Sequence, residues 1–165
     1  MRILELKSLI LPEIMDIDRK DIPKFLKMAS NTFANLGMGP ESIKEYIRLV
    51  TDWTISKQLV YKDKTIGVIL LRPENIENII ESDYTLYCDL DKFNNKRGAQ
   101  VIALIILPKY RNKETVEILK SVPKILGFDY IFGEQLKTLN NLLFLLSFKE
   151  LVAEDFFEYI TAEFI

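Results

Sequence analysis

The stretch from Ala99 to Gly133 constrains the fold more than any other part of the chain. It opens with an apolar run, Val101 to Leu107, which is followed by a proline and a short polar turn. A helical pattern then runs to about Leu126, and a second apolar run begins near Phe128. Runs this apolar are typical of strands buried on both faces. The stretch therefore predicts two parallel strands joined by a right-handed crossover helix.

The polar turn after the first apolar run is the predicted ligand site. It lies at a helix N-terminus, where unpaired backbone N–H groups and the helix dipole favour an anion such as a phosphate. Pro123 lies inside the helical pattern and lacks a backbone donor, so it can end or kink the helix early.

Helical spacings, apolar runs and turn residues predict the elements on either side of this stretch. Gly67, inside one predicted strand, predicts a bulge or a close backbone approach. Before the stretch, the sequence predicts a strand at 2–11, helices at 22–33 and 40–53, a hairpin of strands at 58–61 and 65–71, one helical turn within 72–82, and a strand at 84–90. After it, the sequence predicts a short apolar helix at 139–146 and a terminal hairpin of strands at 148–152 and 156–164.

The chain has no repeat, low-complexity linker or change of composition along its 165 residues. Its 48% hydrophobic and 28% charged residues are an ordinary globular balance. We therefore predict a single α+β domain, residues 1–165, in which helices and a mixed sheet form layers.

Composition excludes several kinds of chemistry. Histidine is absent and Cys88 is the one cysteine, so Ser-His-Asp and Cys-His nucleophile systems and an internal disulfide are excluded. No metal site is expected, because the carboxylates show no clustered spacing. With a net charge of −2, neither nucleic acid nor a membrane is an expected partner. No apolar run reaches the ~18 residues that cross a bilayer, and no leader opens the chain, so a cytoplasmic location is expected.

The order of the predicted elements resembles the GNAT N-acetyltransferase fold over nearly the whole chain. The stretch ALIILPKYRNKETVEIL is similar to the family's long strand, phosphate loop and helix. LGFDYIFG is similar to the next strand, and LSFKELVAEDFFEYIT is similar to the terminal hairpin, which opens here with Ser147-Phe148. The resemblance implies a mostly antiparallel, twisted sheet between helices.

The resemblance also implies a cofactor, acetyl-CoA, in the gap where the strand before the helix splays from the strand after it. The pantetheine would pair with the free strand edge, and a backbone N–H near Leu107 would stabilise the oxyanion. The pyrophosphate would lie on the loop whose positions match Arg111, Asn112, Lys113, Glu114, Thr115 and Val116. Glu114 and Val116 stand where the family has glycines, and a Cβ hinders close approach of backbone N–H to phosphate.

The catalytic groups are less clearly indicated. A tyrosine that many family members place in the last helix corresponds to about Leu143, which cannot donate a proton. Candidate bases are Glu134, at the end of the strand after the helix, and Asp89 or Asp83 near the preceding short strand. Each has an alternative role as a solvated surface carboxylate. Cys88 is predicted to be a small buried thiol.

Two functions stay open on the sequence. The first is an acetyl-CoA-dependent N-acyltransferase that has a diverged phosphate loop and an amine acceptor. The second is a non-catalytic module that binds a protein partner or a second copy of itself. Its surface would be the apolar ending, Phe156 to Ile165, although these residues can equally close the core. A composition rich in Lys, Ile and Asn suits a phage protein, including a virion-associated one.

Overall fold

A computed structural model describes residues 11–32, 39–137 and 148–165. Within them lie three α-helices: α1 (Ile22–Thr32), α2 (Pro40–Val50) and α3 (Lys113–Ile125). The strands are β1 (Glu13–Asp16), β2 (Lys57–Tyr61), β3 (Lys64–Pro73), β4 (Thr85–Leu86), β5 (Gly98–Ile106), β6 (Tyr130–Leu136), β7 (Glu150–Glu154) and β8 (Glu158–Phe164). Short 3₁₀ turns lie at Arg19–Asp21, Ile76–Asn78, Leu90–Phe93 and Pro108–Tyr110.

All eight strands form one open sheet in the order β1-β2-β3-β5-β6-β8-β7-β4. Every neighbouring pair is antiparallel except β5 and β6, which are parallel and joined through α3. The predicted crossover and the mixed, mostly antiparallel sheet are therefore confirmed. No helix among the described residues has the length and apolar character needed to span a bilayer.

Helices cover both faces of the sheet, as the layered prediction requires. On one face, Leu119 and Val122 of α3 pack against apolar side chains of β2, β3, β5 and β6. On the other face, Phe25 of α1 and Ile47 of α2 pack on Val68 and its neighbours. A third apolar cluster fills the half of the sheet that contains β6, β7 and β8.

Local sequence explains where several elements begin and end. In the β2–β3 hairpin, Lys62 and Asp63 both have positive φ, 51° and 61°, which matches the twist of a two-residue turn. The β2–β3 register shifts beside Gly67, and a Cβ there would lie 3.0 Å from Leu119 Cδ1. The predicted bulge is confirmed, and the closest approach at Gly67 is to a leucine side chain rather than to backbone.

Some boundaries differ from the prediction. The helix α3 runs past Pro123 to Ile125, since a proline in the last turn removes a single backbone bond, and Gly127 with φ of 87° ends it. Strand β1 follows Pro12, where the sequence predicted a strand to end. The strand predicted at 84–90 is limited to β4, because Asp89 caps the next 3₁₀ turn. The strand predicted at 2–11 falls, apart from Leu11, outside the described residues, and the helix predicted at 139–146 lies entirely outside them.

Candidate active site

The parallel strands β5 and β6 pair over three residues and then separate. Gly98, Ala99 and Gln100 face residues 130–132 of β6, and the ladder ends there. Beyond this point β5 stays paired with β3 as far as Ile106, while β6 stays paired with β8 as far as Leu136. We call this divergence the fork. It leaves the last half of β5 with an unpaired backbone edge that faces β6.

The hydrogen bonds of β5 show which backbone groups point into the fork. The Leu107 N–H donates to the Ile66 carbonyl at 2.9 Å, so this amide bonds toward β3. The Ile106 carbonyl instead accepts from Arg111 Nε at 2.9 Å. Because backbone groups alternate sides along a strand, those of Leu104 and Ile106 face the fork. The amide of Leu107, predicted as an oxyanion donor, is therefore already bonded to the neighbouring strand.

The loop after β5 leads into α3, whose first turn is capped by Asn112. The Asn112 side chain accepts from the Thr115 N–H at 2.9 Å, and its carbonyl accepts from the Val116 N–H at 3.2 Å. By helix geometry, the amides of Lys113 and Glu114 have no acceptor within α3. The Val116 side chain packs in the core, 6% exposed. The described part of the chain supplies no other backbone acceptor for these two amides.

A cavity of about 350 Å³ opens beside β6 and β8. Its lining residues are Asn78, Ile79, Glu81, Tyr84, Glu134, Asp155, Phe157 and Glu158. Four of these side chains are carboxylates, so the cavity is strongly acidic. In the described part of the chain, no three acidic or thiol side chains are grouped closely enough to hold a metal ion. The cavity thus has the charge that suits an organic cation.

Glu134 lies in this cavity, two residues beyond the last β6 residue that pairs with β5. Burial, together with the nearby charge of Glu158, raises the pKa of the Glu134 carboxyl above its usual value. The Arg72 charge and a hydrogen bond from Gln100 Nε2, 3.2 Å from Glu134 Oε1, act in the opposite direction. A carboxyl with a raised pKa beside a cavity is a good candidate general base.

Solved structures match this architecture along nearly the whole chain. An acetyltransferase of the GNAT family from Streptococcus agalactiae matches with a TM-score of 0.62 and 9% identity, over 93% of this chain and 95% of that one. The PaiA N-acetyltransferase of Thermoplasma acidophilum, in complex with coenzyme A, matches at 0.56 and 15% identity, over 93% and 99%. Arabidopsis thaliana Naa50, bound to a CoA bisubstrate analogue, matches at 0.58 and 12% identity, over 92% and 97%. The chain has the GNAT fold.

The likeness lies in the order and pairing of elements, since no protein-family model and no curated protein sequence matches this chain. The resemblance drawn from ALIILPKYRNKETVEIL and the two later stretches is confirmed at the level of fold. Within that GNAT fold, the predicted loop residues 111–116 do stand between β5 and the first turn of α3.

The structure separates the predicted carboxylates. Glu134 lines the cavity of this GNAT fold, whereas Asp89 caps a 3₁₀ turn by accepting from the Asp91 N–H at 2.9 Å. Asp83 is exposed and accepts from Ser82 Oγ at 3.2 Å. Burial raises the pKa of the Cys88 thiol, which opposes formation of a thiolate.

Sequence reasoning missed the residues that surround Glu134 in the GNAT fold. Tyr84 lines the cavity and its hydroxyl donates to Glu158 Oε2 at 3.0 Å. Burial and that hydrogen bond raise the pKa of Tyr84, so it is a weak proton donor near neutral pH. Gln100 carries a signal that was readable in the sequence: it is the one polar side chain in the run AQVIALII.

The terminal hairpin is divided between core and surface. Ile160 is fully buried, so this part of the apolar ending closes the core. Phe156 and Phe157 at the tip are 86% and 69% exposed, and their rings stack edge to face with centroids 5.2 Å apart. Phe157 also borders the cavity. The interaction-module hypothesis therefore stays a prediction, with the exposed tip as its surface.

Proposed function

We propose that this protein is an acyl-CoA-dependent N-acyltransferase that transfers an acetyl group to an amine. The observation that carries the proposal is the fork, at which the free edge of β5 faces β6, the strand whose Glu134 lines the acidic cavity. One side of the fork offers backbone partners for a cofactor, and the other offers Glu134 for proton transfer. The matches to CoA-bound GNAT structures support the same assignment.

Acetyl-CoA supplies an activated acyl thioester that an amine can attack. The residues of this chain fit such a cofactor at the strand edge, where Leu104 presents its N–H and carbonyl to the fork and Ile106 its N–H, since the Ile106 carbonyl accepts from Arg111. An amide of the bound pantetheine would form with this edge the hydrogen bonds that β6 forms with the first part of β5. An N–H on this edge, rather than the engaged amide of Leu107, would hold the developing oxyanion.

At the loop, the fit to a pyrophosphate is electrostatic more than geometric. Lys109, Arg111 and Lys113 are exposed cations next to the two free amides at the start of α3. Such groups bind phosphate through charge-assisted hydrogen bonds and the helix dipole. Glu114 weakens the fit, because its carboxylate has the same sign of charge as the pyrophosphate and its Cβ stands where the family has a glycine hydrogen. We therefore propose a diverged phosphate loop in which Arg111 carries much of the affinity.

On the acceptor side, the acidic cavity would favour an amine that is protonated in solution. The amine must lose a proton before it can attack, and Glu134 would accept that proton directly or through a water molecule. The exposed ring of Phe157 at the cavity rim would contact apolar parts of the acceptor. Glu134 is thus the proposed general base.

The test is a calorimetric titration of acetyl-CoA and CoA into the purified protein. We expect saturable binding with a micromolar Kd, and Arg111→Ala should weaken it about tenfold or more through loss of a charge-assisted bond. Arg111→Lys keeps the charge and should retain part of the affinity. Arg19→Ala removes an exposed arginine from the 3₁₀ turn before α1 and serves as the matched control.

Absence of binding at millimolar cofactor would contradict the proposal. The interaction-module hypothesis would then be tested next, by placing charges at Phe156 and Phe157 and measuring self-association and partner binding.

A further inference from the structure

A chain of hydrogen bonds crosses three strands on one face of the sheet at the fork. Arg72 Nε on β3 donates to Gln100 Oε1 on β5 at 2.6 Å. Gln100 Nε2 then donates to Glu134 Oε1 on β6 at 3.2 Å. Gln100 is 3% exposed, so both ends of its amide are satisfied inside the protein. A buried amide that makes two such bonds has one well-defined orientation.

The direction of this chain is fixed by chemistry. A guanidinium can donate hydrogen bonds but cannot accept them, so the Gln100 oxygen must face Arg72. The Gln100 nitrogen must then face Glu134 and donate to it. By orienting Gln100, Arg72 therefore places an N–H donor next to Glu134, although Arg72 and Glu134 lie on strands that are separated by β5.

The position of the chain matches the start of the fork. Gln100 is the last β5 residue that pairs with β6, facing Phe132. Glu134 lies two residues further along β6 and so points to the same face as Phe132. Directly after Val101 the β3–β5 register shifts, which marks a bulge at the point where β5 leaves β6.

We propose that Gln100, oriented by Arg72, is a positioning residue that holds the Glu134 carboxylate toward the fork for proton transfer. The inference rests on the proposed function, because Glu134 is the base of that reaction. Loss of the Gln100 donor would let the carboxylate turn away from the amine. A misplacement of about 1 Å can cost on the order of 100-fold in rate.

Several charged groups act on the titration of Glu134. Arg72 on β3 is a cation and lowers its pKa, whereas Glu158 on β8 and Glu81, between β3 and β5, are anions and raise it. The phenols of Tyr46 on α2 and of Tyr84 also lie near Glu134, whose charge raises the pKa of both. Because the anions raise the pKa of Glu134 and Gln100 lowers it, removing the Gln100 donor should raise that pKa further.

The experiment follows the Glu134 carboxyl directly by ¹³C NMR titration of labelled protein without cofactor, and follows turnover separately. Gln100→Met should raise the pKa of Glu134 and lower kcat about 10- to 100-fold, with a smaller change in KM. The acid limb of the kcat/KM profile should move to higher pH. Arg72→Met should act in the same direction, and the double variant should show less than the sum of the two effects. Arg72→Lys should rescue part of the loss.

The matched control is Gln58→Met on β2. Gln58 is also a buried glutamine, 9% exposed, and its Nε2 donates to the Asp16 carbonyl at 3.0 Å while its Oε1 accepts from Thr65. This variant should leave the Glu134 titration unchanged. An unchanged Glu134 titration in folded Gln100→Met protein would overturn the inference.

If Gln100→Met does not fold, Gln100→Thr supplies the same test, because threonine suits a strand, adds no charge and is too short to donate to Glu134. The NMR readout needs neither cofactor nor turnover. If the unaltered protein transfers no acetyl group but the Gln100 variant shows a shifted Glu134 titration, the proposed function is refuted and the contact stands. If the unaltered protein transfers acetyl groups but the Gln100 variant shows an unshifted Glu134 titration, only the contact is refuted.

Discussion

Replacing Glu134 by glutamine should lower kcat for acetyl transfer by about 10²- to 10⁴-fold, the usual contribution of a positioned general base. Glutamine keeps the size of the side chain and can still accept from Gln100, so the change removes the basic oxygen and little else. CoA affinity, measured by calorimetry, should stay near that of the unaltered protein, because the strand edge and the loop lie on the other side of the fork.

The pH dependence of kcat/KM tests the role of Glu134 as general base in a second way. Burial and Glu158 raise the pKa of Glu134, so its basic form is lost, as pH falls, at a higher pH than for an ordinary glutamate. The kcat/KM profile of the unaltered protein should therefore decline on its acid side from that raised pKa downward. Glu134→Gln should lack this limb in its residual activity.

Asp89→Asn is the informative comparison, because Asp89 was an equal candidate on the sequence. Asparagine retains the oxygen that caps the 3₁₀ turn, so this variant should keep full turnover. The base assignment fails if Asp89→Asn is inactive while Glu134→Gln transfers acetyl groups at the normal rate.

The same carboxyl has a predictable effect on stability. Its folded-state pKa is raised above the unfolded value, so its contribution is most favourable below the unfolded pKa and is lost as pH rises through the folded pKa. At neutral pH the folded protein holds a charge that its surroundings disfavour. Glu134→Gln should therefore unfold at the same or a higher temperature than the unaltered protein at pH 7, with this difference shrinking toward pH 4. A lower unfolding temperature at pH 7 would contradict this sign.

The sequence predicted the crossover well because its signals are local. Apolar runs define β5 and β6, and the polar turn with Asn112 defines where α3 begins. The fork itself depends on which strand each backbone pairs with beyond Gln100, and no local pattern encodes that choice. The same limit explains Leu107, whose N–H direction follows from the β3–β5 register.

The candidate site, like the fold, could be predicted from the sequence only in part. Glu134 and Asp89 look alike in sequence, since each is an acidic residue near the end of a strand. Tertiary placement puts the first in the acidic cavity and the second on a turn. Gln100 was detectable in principle, because a polar side chain in the middle of a buried strand must find hydrogen-bond partners. Its partners, Arg72 and Glu134, come from strands that only the fold brings together.

Gly98→Ala should cost about 3 kcal/mol or more of unfolding free energy, measured by urea denaturation. Gly98 opens β5 and pairs with Tyr130 at the closed end of the fork. A Cβ at this position would lie 2.4 Å from the Glu74 carbonyl oxygen and 2.5 Å from Tyr130 Cζ. Neither neighbour can move freely. Glu74 donates its N–H to the Gly98 carbonyl at 3.1 Å, and the fully buried Tyr130 hydroxyl accepts from the Ile76 N–H at 2.9 Å.

Two other glycines serve as comparison sites for Gly98→Ala. Gly39 has nothing within 4 Å of its Cβ position and an ordinary φ of −62°, so Gly39→Ala should cost no more than the ~1 kcal/mol expected for alanine at the N-cap of α2. At Gly67 the nearest atom is the tip of a flexible leucine, so Gly67→Ala should fall between the two. Equal stability of Gly98→Ala and Gly39→Ala would contradict the packing described here.

Because Gly98 anchors the closed end of the fork, any Gly98→Ala protein that folds must shift β5 against β6. It should therefore bind CoA more weakly, although residue 98 lies in the paired segment rather than on the free edge.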